Sequence, residues 1–283
     1  MNDAAIKEWI GRSETVDDVV TASALAKMSV TLARDDPPPG LGDPVPPGWH
    51  WMFAHAAAPA AALGPDGHTR RGGFLPPVAL PRRMWAGGRL AFGPPLRVGQ
   101  MVTRRSTVLD VAEKQGRSGP LVFVTVRHDY AGPDGSAVIE EQDLVFRAAP
   151  RAGETAPPPE SPPPAVWRRT MRGDPVTLFR YSALTFNGHR IHYDQPYATR
   201  EEGYPGLVVH GPLMATLMLD LVRRSAPGRA VQCFAFRALR PVFDTAPFEV
   251  AGAPASDGKE IALWIVDAAG AVAMRASATL ESA

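Results

Sequence analysis

The residues best able to move protons are concentrated in Tyr181–His210, which reads YSALTFNGHRIHYDQPYATREEGYPGLVVH. This stretch contains His189, His192 and His210 together with Asn187. A neutral imidazole at His192 can act as a base towards water or towards a proton beside a carbonyl, and His189 can assist it. Asn187 only donates or accepts hydrogen bonds, so its role would be to orient water or substrate. Purely structural histidines are the alternative, and the clustering favours a site.

A buried helix is predicted directly after this stretch. The run GPLMATLMLDLV is apolar nearly all round, which is typical of a helix inside a domain. Pro212 suits the first helical position, and Gly211 allows close approach to the backbone. The free N–H groups at such an N-terminus can stabilise the oxyanion of a thioester enolate.

Composition breaks divide the chain into two halves. Strands RLAFG, MVTRRSTVLDVAEKQ, LVFVTVRHDYA and AVIEEQDLVFR are predicted before the proline-rich stretch, and a helix with four more strands after it. We therefore predict an N-terminal domain (1–147), a linker (148–165) and a C-terminal domain (166–283). Residues 3–33 are predicted to form two helices, the second capped by Ser13 or Thr15.

The bulk properties narrow the class of protein. A net charge of +1 offers no global field for nucleic acid or an anionic membrane. The single cysteine excludes an intrachain disulfide framework and fits a reducing cytosol. Neither a secretory signal nor a membrane-spanning run is recognisable in the sequence. We expect a cytoplasmic protein without nucleic-acid or membrane partners.

Other kinds of site are less well supported. A metal site from His189, His192, Asp194 and His210 lacks a standard ligand spacing. No G-x-S-x-G motif is present, which argues against a serine hydrolase. Basic residues between positions 82 and 117 could grip the phosphates of coenzyme A or could form a solvated sheet face. Arg240 carries the same ambiguity.

The segments YSALTFNGHRIHYDQPYA and GLVVHGPLMATLML resemble the MaoC-like, R-specific hydratase/dehydratase superfamily. The similarity is greatest to its branch of type 2 hydroxyacyl-thioester dehydratases and mesaconyl-C4-CoA hydratases. LPRRMWAGGRLAF and EKQGRSGPLVFVTVRHDY resemble the N-terminal half of that branch. The resemblance implies an α+β double hot-dog fold, in which a long central helix of each half is wrapped by an antiparallel β-sheet.

The resemblance also implies roles for individual residues. The superfamily motif G-D-x-N-P-x-H activates water, and His192 matches its histidine. Asn187 stands at the aspartate position, His189 at the asparagine position and Arg190 at the proline position. Because an asparagine cannot be a base, the base role falls to His192 alone. The N-terminal half lacks the motif, so its expected role is to form the cleft for the acyl chain.

The implied substrate is a thioester bound at the start of the predicted helix. Gly211 matches the backbone N–H that holds the thioester oxygen, and His210 precedes it. With Arg190 and Arg240, these two are the predicted substrate-binding residues. Coenzyme A enters as part of the substrate, with no metal or redox cofactor, and a homodimer is expected.

The implied activity is that of a hydro-lyase interconverting a 2-enoyl-CoA and a 3-hydroxyacyl-CoA. A mesaconyl-C4-CoA hydratase is the leading expectation, and a fatty 3-hydroxyacyl-thioester dehydratase is the alternative. A non-catalytic acyl-thioester binding scaffold is a further alternative, supported by the asparagine at 187. A hot-dog thioesterase would normally need a carboxylate near the helix start.

Overall fold

The computed structural model describes residues 6–116, 119–148 and 158–281. Within these residues, ten strands form one continuous antiparallel sheet. The order of the strands across the sheet is β1-β3-β4-β5-β2-β7-β10-β9-β8-β6. The first five of these come from the N-terminal half of the chain and the last five from the C-terminal half. The halves are joined where β2 pairs with β7.

In the N-terminal half, the described residues include five strands and the α-helix α1. Their bounds are β1 (Ser13–Val19), α1 (Ala22–Thr31), β2 (Arg82–Phe92), β3 (Met101–Gly116), β4 (Gly119–Gly132) and β5 (Gly135–Arg147), with short 3-10 turns at Trp49–Met52 and Ala60–Ala62.

In the C-terminal half, the described residues include five strands and two α-helices. Their bounds are β6 (Trp167–Met171), α2 (Pro175–Leu184), α3 (Gly211–Ser225), β7 (Val231–Ala238), β8 (Phe248–Pro254), β9 (Glu260–Val266) and β10 (Val272–Leu280). Between α2 and α3 lie a 3-10 turn at Arg190–His192 and a π-helical turn at Tyr197–Glu201. No helix among the described residues is long and apolar enough to cross a membrane.

Helix α3 is the central helix of the C-terminal half. Ten of its 15 residues are buried, from Leu213 to Val222, as its sequence predicts. The N-terminal half has the ten-residue α1, while Trp49–Met52 forms only a 3-10 turn although its side chains are all buried. The preceding stretch 35–48 contains six prolines in DDPPPGLGDPVPPG, and these cannot donate the backbone bonds of a longer helix.

The prediction of a helix beginning at Ser13 or Thr15 is wrong. Residues 13–19 form β1, which pairs with β3 from Ser13 opposite Thr107 to Val19 opposite Met101. The burial of SETVDDV alternates along the strand, and the long strand β3 supplies the hydrogen bonds that outweigh local helix signals. The true cap is Thr21, whose hydroxyl accepts from the N–H of Ala24 at the start of α1.

Part of the predicted organisation falls on residues that the structure does not describe. Residues 3–5 of the first predicted helix and residues 149–157 of the predicted linker are among them. Strand β5 ends at Arg147 and β6 begins at Trp167. The domain boundaries 1–147, 148–165 and 166–283 stay predictions.

A buried carboxylate ties α3 to both halves of the protein. The side chain of Asp220 is 1% exposed and accepts hydrogen bonds from Arg34 (2.5 Å), Arg169 (2.8 Å) and Arg224 (2.7 Å). Arg34 follows α1, Arg169 lies on β6 and Arg224 lies one turn further along α3. The carboxylate therefore connects three separate elements by charge-assisted hydrogen bonds.

We expect Asp220→Asn to lower the free energy of unfolding by about 3–5 kcal/mol, because it leaves three guanidinium groups without their shared anion. The matched control is Glu249→Gln, which breaks a surface pair with the half-exposed Arg168 and should cost under about 1 kcal/mol. Urea unfolding of both variants measures the difference. Equal losses would contradict the central role of Asp220.

Candidate active site

The predicted histidines come together beside the N-terminus of α3. The rings of His192 and His210 stack with centroids 3.7 Å apart, and His189 lies 5.4 Å from His192. A further histidine, His68 from the N-terminal half, lies 4.1 Å from His189. Four imidazoles therefore form one continuous cluster.

His192 is held in one tautomer. It ends the 3-10 turn Arg190–His192, is buried, and its Nδ1 lies 2.7 Å from the carbonyl oxygen of Val208. A carbonyl only accepts, so Nδ1 carries the hydrogen and Nε2 presents a lone pair. Burial lowers the pKa of His192 to about 4. At neutral pH the ring is therefore neutral and able to take a proton at Nε2.

His210 packs against one face of the His192 ring. It is fully buried, its Nε2 lies 2.8 Å from Ser182 Oγ on α2, and its Nδ1 has no hydrogen-bond partner among the described residues. Burial, together with the neighbouring histidines, lowers its pKa well below the usual value. A charged ring stacked on His192 would be unfavourable, so both rings stay neutral.

Asn187 forms the turn that presents His189. Its Oδ1 accepts the backbone N–H of His189 at 3.0 Å, and the preceding Phe186 has a positive φ of 49°. Its side-chain NH2 makes no hydrogen bond with a described residue. Asn187 can therefore donate to water or substrate, as its residue type predicted.

The N-terminus of α3 presents a backbone N–H without a partner among the described residues. The N–H of Gly211 makes no hydrogen bond with a described residue, and Pro212 has none to offer. A Cβ at Gly211 would lie 2.9 Å from Cε3 of Trp85, so glycine is required beneath this indole. Trp85 Nε1 is also buried without a described partner. This arrangement suits a thioester oxygen that gains negative charge.

Two predicted substrate-binding arginines are engaged in protein contacts. Arg190 lies 2.7 Å from Asp194 Oδ2, donates to the carbonyl of Pro65 at 2.9 Å and covers the ring of Tyr197. Arg240 follows strand β7, and its Nη1 lies 3.5 Å from a carboxylate oxygen of Asp267. Their contacts with substrate stay predictions.

The loop of residues 64–68 brings Asp66 and His68 into the cluster, and sequence reasoning missed both. Asp66 Oδ2 lies 3.0 Å from His68 Nδ1, and the backbone carbonyl of Asp66 accepts the N–H of Arg190 at 2.9 Å. A Cβ at Gly67 (φ +87°) would lie 1.9 Å from the carbonyl oxygen of Gly188. The two loops are thus in direct backbone contact. The only signal in the sequence is an aspartate two residues before a histidine in GPDGH.

The basic cluster of residues 82–117 divides into paired and unpaired members. Arg82, Arg89 and Arg104 form ion pairs, and Arg117 lies outside the described residues. Arg83 is partly buried and has no hydrogen bond or ion pair with any described residue. Burial lowers its pKa to about 10, and its charge in turn helps to lower the pKa of the nearby histidines. Arg83 is therefore a cation at the edge of the cluster that is attracted by the carboxylate of Asp66 without an ion pair to a described residue.

Among the residues that the structure describes, the group placed to hold a metal differs from the one considered in the sequence. One ligand atom each of Asp66, His68 and His189 lies within 4.8 Å of the others, whereas Asp194 is paired with Arg190. The carboxylate of Asp66 already binds His68, and the positive charge of Arg83 opposes a divalent cation. The absence of a metal from the reaction stays a prediction.

A sheet-wrapped helix with a neutral histidine beside its free N-terminus defines a hot-dog hydratase or dehydratase of the MaoC-like class. The family described as hydroxyacyl-thioester dehydratase type 2 matches residues 48–244. The chain is 46% identical to the mesaconyl-C(4)-CoA hydratase of Chloroflexus aurantiacus, over 99% of both chains. It is 32% identical to the mitochondrial hydroxyacyl-thioester dehydratase type 2 of Schizosaccharomyces pombe, over 72% of this chain and 76% of that one. The chain belongs to the type 2 hydroxyacyl-thioester dehydratase family.

The fold is similar to that of a conserved Mycobacterium tuberculosis protein described as having a double hot-dog fold. The TM-score is 0.57 with 15% identity, and 96% of each chain is covered. The α+β double hot-dog is thereby confirmed. The protein is an enzyme of the hydro-lyase type, which removes the non-catalytic scaffold as an alternative.

The buried histidines predict how stability depends on pH. Burial lowers the pKa of His192 to about 4 and that of His210 well below the usual value, so between pH ~6.5 and ~4 the unfolded chain binds protons that the folded chain does not. We expect the free energy of unfolding to be fully present above pH ~6.5 and to fall by roughly 1.4 kcal/mol per pH unit for each such histidine below it.

Guanidinium unfolding at pH 7.5, 6.0 and 5.0 measures this loss, and His192→Gln should reduce the pH dependence by one group. A free energy of unfolding that stays constant across this range would contradict neutral, buried histidines.

Proposed function

We propose that the protein hydrates a 2-enoyl-CoA to a 3-hydroxyacyl-CoA, and catalyses the reverse dehydration, on an acyl group like that of mesaconyl-C4-CoA. The observation that carries the proposal is the neutral His192, whose Nδ1 is bound to the Val208 carbonyl so that Nε2 presents a lone pair, near the N–H of Gly211, which has no partner among the described residues. This pair supplies the two needs of thioester hydration, a base for water and a donor for the enolate oxygen.

The reaction follows from these positions. His192 Nε2 takes a proton from a water held by the amide of Asn187, and the water oxygen bonds to C3 of the acyl group. The C2=C3 electron pair moves towards the thioester, and the oxygen gains negative charge against Gly211 N–H and the helix dipole. Returning the proton from His192 to C2 completes the addition. Coenzyme A takes part only as the substrate handle.

The free carboxylate of the acyl group is the feature that selects the substrate. In a mesaconyl C4-thioester, C3 carries both a methyl group and a carboxylate, so the anion lies one bond from the carbon that receives water. Arg83 is a partly buried guanidinium near His68 and His189 that forms no ion pair or hydrogen bond with a described residue. A bidentate contact with the substrate carboxylate would give this guanidinium two charge-assisted hydrogen bonds. The 46% identical relative supports the same substrate.

The alternative substrate is a fatty 3-hydroxyacyl thioester. The family description and the Schizosaccharomyces pombe relative favour it. An apolar cavity of about 330 Å³ lies between Trp49, Leu96 and the Leu219–Ala226 end of α3. This end of α3 is opposite to Gly211. A fatty acyl chain whose thioester lies at the histidines would therefore have to extend along the length of the helix to fill the cavity.

The proposal includes a cytoplasmic homodimer. The single cysteine is in keeping with a reducing compartment. The hot-dog proteins that the sequence resembles commonly form dimers.

Hydration of crotonyl-, octenoyl- and mesaconyl-C4-CoA, followed by loss of the enoyl-thioester absorbance, tests the reaction. We expect the last to be preferred and His192→Ala to lower kcat by more than ~100-fold, because it removes the base. Turnover that survives in His192→Ala would move the base elsewhere, first to His189. A preference for octenoyl-CoA would establish the fatty substrate.

Arg83→Met tests carboxylate recognition separately. We expect kcat/KM for mesaconyl-C4-CoA to fall roughly 10- to 100-fold, because a charged hydrogen bond is lost. The value for crotonyl-CoA, which has no carboxylate, should change less than about 3-fold. Arg105→Met, on the exposed face of β3, is the matched control. Equal losses for both substrates would assign Arg83 a structural role.

A further inference from the structure

The motif position that carries a carboxylate in the wider superfamily holds Asn187 here, so the site lacks one proton acceptor. Across the contact between the halves, Asp66 and His68 stand against His189. We propose that His68, oriented by Asp66, is a second catalytic residue that binds the attacking water. This inference rests on the proposed hydration and adds a residue from the N-terminal half to it.

The hydrogen bond between the two side chains determines which atom of His68 faces the site. Burial alone would raise the pKa of Asp66, but the hydrogen bond from His68 lowers it. Asp66 is therefore an anion, which can only accept hydrogen bonds. The hydrogen of the 3.0 Å contact thus lies on His68 Nδ1. Nε2 keeps its lone pair, and a carboxylate behind the ring stabilises any positive charge that Nε2 gains, as in hydrolase triads.

The state of the ring is suitable for accepting a hydrogen from water. Burial and the charge of Arg83 lower the pKa of His68 to about 4, against the opposite effect of Asp66. Burial, with His68 and His192, lowers that of His189 to about 2. Each of these rings is therefore a neutral acceptor at neutral pH.

His68 and His189 are close enough for one water to bridge them. Two acceptors that each lie ~2.8 Å from a water oxygen are separated by up to about 5 Å. One ligand atom each of Asp66, His68 and His189 lies within 4.8 Å of the others, and the ring centroid of His189 lies 5.4 Å from that of His192. In the proposed complex, a water beside these rings donates one hydrogen to His192 Nε2 and the other to His68 Nε2, while Asn187 donates to its oxygen.

The backbone keeps the two loops together. Arg190 N donates to the carbonyl of Asp66, Arg190 Nη1 donates to that of Pro65, and Gly67 touches Gly188 with no room for a side chain. These contacts do not depend on the imidazole of His68. A substitution at that position can therefore test its chemistry without separating the loops.

The experiment compares wild type, His68→Ala, Asp66→Asn and the control His55→Ala on the preferred enoyl-CoA. His55 is another partly buried histidine of the N-terminal half, but its Nε2 bonds the carbonyl of Trp51 outside the cluster. We expect His68→Ala to lower kcat by roughly 100-fold or more with KM changed less than about 3-fold. Asp66→Asn should lower kcat by at least ~10-fold, and His55→Ala should stay within ~3-fold.

Added imidazole gives a readout that a structural role would not move. It should restore part of the kcat of His68→Ala in proportion to its concentration and leave Asp66→Asn unchanged. If wild type turns over but folded His68→Ala and Asp66→Asn keep more than about a third of its kcat, the inference is overturned while the proposed function stands. If His68→Ala does not fold, Asp66→Asn, which keeps the size of the side chain, decides alone. An absence of turnover in wild type with every enoyl-CoA would reject the proposed function itself.

Discussion

The burial of helix α3 is the constraint on which the rest of the structure depends. A helix inside a sheet cannot leave its terminal N–H and C=O groups to water, so each end must find partners in the protein or in a ligand. Near the C-terminal end, Asp220 pairs with arginines from the segment after α1, from β6 and from α3 itself, which anchors the helix in both halves. At the other end, the N–H of Gly211 has no partner among the described residues. One end of the helix is thus fixed by ion pairs, and the other is the end at which we propose that a substrate oxygen binds.

The same burial determines the chemistry of the histidines. A charged imidazole is costly away from water, so rings packed beside α3 are neutral over a wide range of pH. His192 and His210 can stack only because neither carries a charge. The carbonyl of Val208 then decides which nitrogen of His192 keeps a lone pair. Keeping these histidines neutral lowers the stability of the protein in acid, since protonation of their rings favours the unfolded chain.

The active site belongs to both halves of the chain. The C-terminal half supplies the proposed base and the helix start, whereas the N-terminal half supplies Trp85 over Gly211 and the Asp66–His68 pair. Arg83, on β2, adds a positive charge beside His68 and His189. The role expected of the N-terminal half from the sequence is only to form a cleft for the acyl chain. Its contacts place polar groups beside the histidine cluster as well.

The sequence by itself determined what depends on neighbours along the chain. The apolar run after Pro212 predicted the buried helix α3, alternation predicted strands β3 to β5, and the histidine loop predicted the centre of the candidate site. It misjudged Ser13–Val19, because pairing with β3 overrode local capping signals, and it passed over Asp66 and His68. The Pro65 carbonyl meets Arg190 across 125 residues of chain, and no local pattern encodes such a distance. Only the tertiary structure could bring that pair of side chains to the histidines, because backbone contact between two loops decides it.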